Sequence, residues 1–106
     1  MATAREIIEA LPKKVVPEAI EGHETNFHFD LEGDGGGEMT VRIQDGEVTF
    51  QEGLHGEPKC TVRGKAENFV KLAQGELNPF MAIMTGKVKI SNQGEMIKYA
   101  KIFGLM

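Results

Sequence analysis

The serine and cysteine side chains that enzymes use as nucleophiles occur once each in this sequence, as Ser91 and Cys60. Ser91 lies in the run Ile-Ser-Asn-Gln-Gly, which is not the Gly-x-Ser-x-Gly turn of serine hydrolases. Cys60 alternates with polar residues as in a strand, so we interpret it as a buried structural thiol. A single cysteine also excludes an internal disulfide and a zinc site built from several cysteines. The sequence predicts no nucleophilic catalysis.

The histidines and acidic residues do not form a convincing metal motif. His23, His28 and His55 lack metal-ligand spacing, and we expect His28 on the exposed face of a strand and His55 in a loop. Residues 30–35, Asp-Leu-Glu-Gly-Asp-Gly, match the first half of a calcium loop. The twelfth position of that loop would be Val41, which has no carboxylate. We therefore interpret the segment as a solvated hairpin turn and predict no metal and no other cofactor.

Phosphate-binding and nucleic-acid-binding motifs are also missing. The glycine-rich run 33–37 does not open a helix, and Gly86-Lys87 lacks the neighbours of a P-loop. The net charge of −4 is not that of a general nucleic-acid-binding protein. We expect a chain that is not an enzyme and does not bind nucleic acid.

Composition and termini guide the expected location. With 106 residues, 41% hydrophobic and 26% charged, the chain has the size and composition of one globular domain. No apolar run approaches the roughly 20 residues of a membrane span. The first residues do not resemble a secretory signal, and the last are not a Ser-Lys-Leu peroxisomal address. We expect a cytoplasmic protein with no stable membrane insertion.

Hydrophobic periodicity predicts the elements. Thr3-x-x-Glu6 is a capping box that opens a helix, Pro12 ends or restarts it, and a second helical stretch is interrupted at Pro17. A period of two then predicts a four-stranded antiparallel meander with a hairpin turn at Asp45-Gly46.

Two helices, a fifth strand and a last helix follow. These elements begin near residues 66, 79, 87 and 93, and the last runs to about residue 103. The order is ααββββααβα. It predicts an α+β fold in which helices cover one face of a five-stranded, mainly antiparallel sheet.

The last third of the chain has an excess of large apolar side chains. Four of the six methionines lie within residues 81–106, and flexible thioethers adapt to irregular space. The last helix carries two apolar stripes, one from Met96 to Phe103 and one formed by Tyr99, Ile102 and Met106. A surface helix needs one apolar face. The second stripe therefore predicts a second apolar neighbour, either a ligand cavity or another chain.

Residues 67–90 resemble the sterol carrier protein domain family. They read ENFVKLAQGELNPFMAIMTGKVKI. The family typically has a helix containing Phe, then Gly-x-Leu-(Asn/Asp)-Pro, a short apolar helix and Gly-Lys-(Leu/Val)-Lys-(Ile/Val). With the hairpin and the helix-first order, the resemblance covers about residues 5–106. It implies an apolar tunnel for fatty acids, fatty acyl-CoA, sterols or other lipids, without catalysis.

One departure from the family pattern affects ligand choice. The family often continues after the fifth strand with Gly-(Asn/Asp)-Met-Gly-Leu-Ala, whereas residues 91–97 of this chain read SNQGEMI. This segment would close the tunnel, so ligand preference does not transfer from the family.

The resemblance and the apolar pattern together predict a lipid-binding carrier with a hydrophobic small-molecule ligand. The predicted wall consists of apolar residues of the last three helices and one strand: Phe50, Phe69, Leu72, Phe80, Met81, Ile83, Met84, Met96, Ile97, Ala100 and Phe103. We expect the C-terminal helix to act as a lid. Lys87 and Lys89 are interpreted as a solvated strand edge, with contact to an anionic head group as the alternative.

Two other functions stay open from the sequence. The stripe of Tyr99, Ile102 and Met106 would suit an interaction module, with a homodimer through the C-terminal helix. An accessory factor that presents a polyprenyl-quinone precursor to partner enzymes is a third reading, because some relatives in ubiquinone pathways have this fold.

Overall fold

The α+β organisation follows from where the chain switches between helical and strand periodicity. A computed structural model describes residues 2–104. The helices are α1 (Ala4–Glu9), α2 (Leu11–Lys14), α3 (Pro17–Ile20), α4 (Ala66–Ala73), α5 (Pro79–Met84) and α6 (Gln93–Ile102). The strands are β1 (Thr25–Glu32), β2 (Gly37–Gln44), β3 (Glu47–Glu52), β4 (Cys60–Lys65) and β5 (Val88–Ile90). The predicted fold class is confirmed.

Local signals begin and end these elements as expected. The Thr3 hydroxyl accepts a hydrogen bond from the Glu6 amide at 3.2 Å, and the Glu6 carboxylate accepts one from the Thr3 amide at 3.3 Å, which completes the capping box of α1. The first helix restarts at Pro12 as the separate turn α2, but the predicted second helical stretch is wrong at its start. Val15 and Val16 are extended, and Pro17 begins the single turn α3 instead of interrupting a helix. Asp45 and Gly46 have φ angles of 54° and 76°, the combination that a tight hairpin between β2 and β3 requires.

The sheet order is β3-β2-β1-β4-β5, and three of its four pairings are antiparallel. The exception is β4, which pairs in parallel with β1, so that Phe27 faces Cys60. The predicted antiparallel meander is therefore wrong at β4. Alternation within a strand identifies its buried face but not its neighbour, and β4 takes the free edge of β1 instead of following β3.

The parallel pairing forces residues 53–59 to cross the sheet, because β3 and β4 lie on opposite sides of β1 and β2. The crossing segment is fastened to β2 by Thr40. The Thr40 hydroxyl donates to the Gly53 carbonyl at 2.7 Å and accepts from the His55 amide at 2.9 Å. Thr40 is completely buried as a result.

Side chains of the neighbouring strand β1 hold the same segment on the same face of the sheet. The Asn26 side-chain amide donates to the carbonyls of His55 and Glu57, both at 3.0 Å, and Nε2 of His28 donates to the His55 carbonyl at 2.8 Å. His28 is buried, so its predicted exposure is wrong: the crossing segment covers the face on which it lies. His55 lies in this loop, as predicted, and is exposed.

The opposite face of the sheet carries the apolar core. The Phe27 ring meets Tyr99 of α6 edge-on at 5.5 Å between centroids, and the Phe29 ring meets Phe69 of α4 at 5.7 Å. Such edge-to-face pairs add to the stabilisation from apolar burial. They place α4 and α6 over the centre of the sheet, and Ile8 of α1 is buried in the same core.

We expect Thr40→Val to lower the free energy of unfolding by about 1–3 kcal/mol, because valine keeps the shape but leaves the Gly53 carbonyl and the His55 amide without their partner. Urea unfolding of both proteins would measure the change. Thr49→Val on β3 is the matched control, since Thr49 is exposed. Equal stability losses in the two variants would contradict the role assigned to Thr40.

Candidate functional site

An apolar cavity lies between α4, α5, α6 and β5, and we call it the α5 cavity. Its volume is about 40 Å³. Apart from Gln93, its lining residues are all apolar: Phe69, Leu72, Ala73, Pro79, Phe80, Ile83, Ile90, Met96, Ile97 and Ala100. The first turn of α5 is set by Asn78, whose side chain accepts hydrogen bonds from the amides of Phe80 and Met81 at 2.9 and 3.3 Å.

A second apolar cavity of about 30 Å³ lies between α6 and the sheet, and we call it the sheet cavity. It is lined by Leu11, Phe27, Phe29, Val41, Phe69, Met96, Tyr99, Ala100 and Phe103. Phe69, Met96 and Ala100 line both cavities. The two spaces are therefore neighbours divided by three side chains, one of them a flexible methionine.

The size of these cavities limits what they accept without rearrangement. A volume of 40 Å³ in the α5 cavity corresponds to roughly three water molecules. An alkyl chain of ten or more carbons is far larger, so its entry requires side chains of the dividing wall or a whole helix to move.

The structure brings eight of the eleven predicted wall residues to these cavities. Seven line the α5 cavity, and Phe103 lines the sheet cavity. Phe50 lines neither: it is half-buried on β3 and packs against the core. Met81 and Met84 also line neither and are exposed. Contact of any of these side chains with a ligand stays a prediction.

Sequence reasoning missed several lining residues outside the last three helices. Ile90 could have been found, because it alternates with Lys89 on β5 and must face the helices. Phe27 and Phe29 alternate in the same way on β1, but alternation does not distinguish a residue that lines a cavity from one in a filled core. Lys89, by the same alternation, lies on the face of β5 that is turned away from the α5 cavity.

Burial disfavours the charged forms of two groups in the core, Cys60 and Tyr99. Burial raises the pKa of Cys60, and hydrogen bonding to Asn92 and Ser91 offsets part of that effect. Burial and, to a smaller extent, the charge of Glu95 raise the pKa of Tyr99.

Within residues 2–104, no three His, Cys, Asp or Glu side chains are grouped to hold a metal ion. No helix in that range has the length and apolar character needed to cross a membrane.

Comparison with known proteins identifies one family. Residues 5–106 match the model of the SCP-2 sterol transfer family. The chain is 33% identical over 92 residues to the hydroxysteroid dehydrogenase-like protein 2 of Rattus norvegicus, covering 80% of this chain and 17% of that protein. It thus spans less than a fifth of the length of this relative.

Two solved structures have the same fold. The sec-alkylsulfatase Pisa1 from Pseudomonas sp. is 22% identical with a TM-score of 0.76, over 96% of this chain and 16% of Pisa1. Palmitated SCP2L2 from Aedes aegypti is 19% identical with a TM-score of 0.67, over 94% of this chain and 90% of that protein. The fold therefore occurs both as most of a protein and as a small part of a larger one.

Because the thiolate is the reactive form of cysteine, we expect Cys60 of the folded protein to react with a disulfide reagent at pH 8 roughly a hundredfold more slowly than in urea. Absorbance of the released thiolate measures both rates. The control places the thiol one residue earlier, with Lys59→Cys and Cys60→Ala together, because position 59 is exposed. Fast labelling of folded Cys60 would contradict its interpretation as a structural thiol.

Proposed function

The chain belongs to the SCP-2 sterol transfer family, and from this membership we propose that it binds one lipid molecule in the space shared by the α5 and sheet cavities. It carries that lipid without changing it chemically. The observation that carries the proposal is the wall of Phe69, Met96 and Ala100 between two apolar cavities. Rotation of Met96 would join them into one passage between α6, α5 and the sheet.

The driving force is the removal of ligand methylenes from water. Each buried CH₂ contributes about 0.8 kcal/mol, so ten contribute roughly 8 kcal/mol before costs. Immobilising the ligand and opening the protein reduce that value. Apolar walls with Met96 adapt to different tails, so we expect broad specificity and modest affinity.

Burial favours α5 as the element that opens. α5 buries only Ala82 fully, whereas α6 buries Tyr99 and Ala100 and its C-cap Phe103 is buried too. Segments with few buried contacts have the lowest local opening free energies. The sequence predicts the C-terminal helix as the lid, whereas Tyr99 of that helix packs against Phe27 and holds α6 to the sheet.

A dimerisation module is less favoured by the same contacts. Tyr99 is buried within the chain, against Phe27 and 3.5 Å from Nδ1 of His23 through its hydroxyl, and Ile102 packs partly buried against the core. Met106 lies outside the described residues. The second stripe of α6, as far as the structure describes it, thus has its neighbour within this chain.

Because SCP2L2 from Aedes aegypti, which has the same fold, is palmitated in its solved structure, we choose saturated fatty acids as the first probes. We expect the dissociation constant to fall by about two- to fourfold for each added methylene until the passage is filled. Displacement of a fluorescent fatty acid, in protein purified without detergent, would measure this. An affinity that does not depend on chain length, or no saturable uptake, would contradict lipid carriage.

We expect Ala100→Met to weaken fatty-acid binding by about tenfold, because the longer side chain fills the wall shared by both cavities. Ala19→Met on α3 makes the same chemical change at an exposed residue that lines neither cavity, and it is the control. Thermal unfolding of both variants separates lost binding from lost folding.

Native mass spectrometry of copurified lipid would identify the natural ligand. An isoprenoid quinone precursor among the copurified lipids would support the function of presenting such a precursor to partner enzymes.

A further inference from the structure

Gln93 is the one side-chain amide that lines the two cavities within residues 2–104. The other lining residues there are apolar, except Tyr99 of the sheet cavity. The Tyr99 hydroxyl lies 3.5 Å from Nδ1 of His23, which lines neither cavity. In a mostly apolar pocket, the few polar groups fix the orientation of the ligand. Gln93 is therefore the group to which a polar part of the ligand can bind.

Burial distinguishes an outer and an inner end of the apolar space. Gln93 and Phe80 line the α5 cavity and are exposed, so this cavity reaches the protein surface between α5 and the start of α6. The described residues that line the sheet cavity are all buried except Met96. The α5 cavity is thus the outer part of the space, and the sheet cavity is the inner part. Gln93 lies at the outer end.

Hydrogen bonds to β4 hold the turn that precedes Gln93. The Ser91 amide donates to the Thr61 carbonyl at 3.0 Å, and the Thr61 amide donates to the Ser91 hydroxyl at 2.8 Å. The Cys60 thiol donates to the Asn92 carbonyl at 3.5 Å. Because β4 pairs with β1 inside the sheet, these bonds tie the start of α6 to the most rigid part of the fold.

Asn92 then sets the direction of the first turn of α6. Its side chain accepts a hydrogen bond from the Glu95 amide at 3.1 Å, and its carbonyl accepts one from the Met96 amide at 3.1 Å. Gln93 is the first residue of this helix. α5, on the other side of the cavity, buries only Ala82 fully. Opening of α5 would therefore leave Gln93 in place.

The side chain of Gln93 has the chemistry to bind a neutral or an anionic head group. The hydrogen bonds of this turn use the side chains of Ser91 and Asn92 and not that of Gln93. A primary amide supplies N–H donors and a carbonyl acceptor. The donors suit a carboxylate, and donor and acceptor together suit a hydroxyl.

We propose that the side-chain amide of Gln93 binds the hydrogen-bonding head group of a single-chain lipid, whose tail extends from the α5 cavity into the sheet cavity. This orientation rests on the lipid carriage proposed above and names the class of ligand. The reverse orientation would place the head among buried apolar side chains and remove the hydrogen bonds that it makes with water.

The test replaces the amide by a carboxylate of nearly the same shape, in Gln93→Glu. At pH 8 we expect tetradecanoic acid to bind about tenfold more weakly to this variant, because two negative groups would meet. Tetradecanol should keep its affinity within about twofold, because a carboxylate still accepts a hydrogen bond from a hydroxyl. Displacement of the uncharged fluorescent probe N-phenylnaphthylamine by each ligand measures both affinities.

Gln51→Glu is the matched control. It makes the same chemical change at an exposed position of β3, at the opposite edge of the sheet from β5. It should bind both ligands like the unaltered protein. Unchanged binding of the acid by Gln93→Glu, or equal weakening of the acid and the alcohol, would overturn the role of Gln93.

Nuclear Overhauser contacts of isotope-labelled tetradecanoic acid in the unaltered protein give a second readout, which needs no substitution. We expect the methylene beside the carboxylate to contact Phe80, and the terminal methyl group to contact Val41 or Phe103. Interchanged contacts would overturn the orientation and leave lipid carriage standing. No saturable binding of either ligand by the unaltered protein would refute lipid carriage, and the role of Gln93 with it.

Discussion

The parallel pairing of β1 with β4 is the constraint on which the remaining structure depends. It obliges the chain to cross the sheet between β3 and β4, and residues 53–59 do so over the polar face. Thr40, Asn26 and His28 supply the hydrogen bonds that a buried backbone segment needs there. The crossing segment and its polar contacts thereby cover one face of the sheet. The helices can bury their apolar side chains only against the other face.

The packing of several helices on one face explains why the apolar space is divided into two cavities. α4 and α6 meet the sheet through aromatic side chains, Phe69 against Phe29 and Tyr99 against Phe27. Large rings hold the helices away from the strands, and the space between them is filled incompletely by Met96 and Ala100. Close packing in most cores leaves few voids, so two apolar voids that share a wall indicate a part of the core that can be rearranged.

Much of this arrangement could be predicted from local sequence, and the failures share one cause. The capping box at Thr3, the hairpin at Asp45 and the cap at Asn78 depend on neighbouring residues, and each forms as the sequence indicates. The strand partner of β4 and the burial of His28 depend on residues more than twenty positions away. Alternation identified Cys60 as buried but could not show that its strand lies beside β1.

Local sequence likewise accounts for the positions of some candidate site residues and not of others. Helical spacing predicts Phe69, Leu72 and Ile83 as wall residues, and in the structure all three line the α5 cavity. It could not place Met81 and Met84, since a six-residue apolar helix with Ala82 at its buried contact has more large side chains than the protein can cover. Burying them inside would have required a larger partner for α5 than the short β5 provides. α5 therefore buries only one side chain fully, Ala82, which leaves the helix apolar on the outside and favours its local opening.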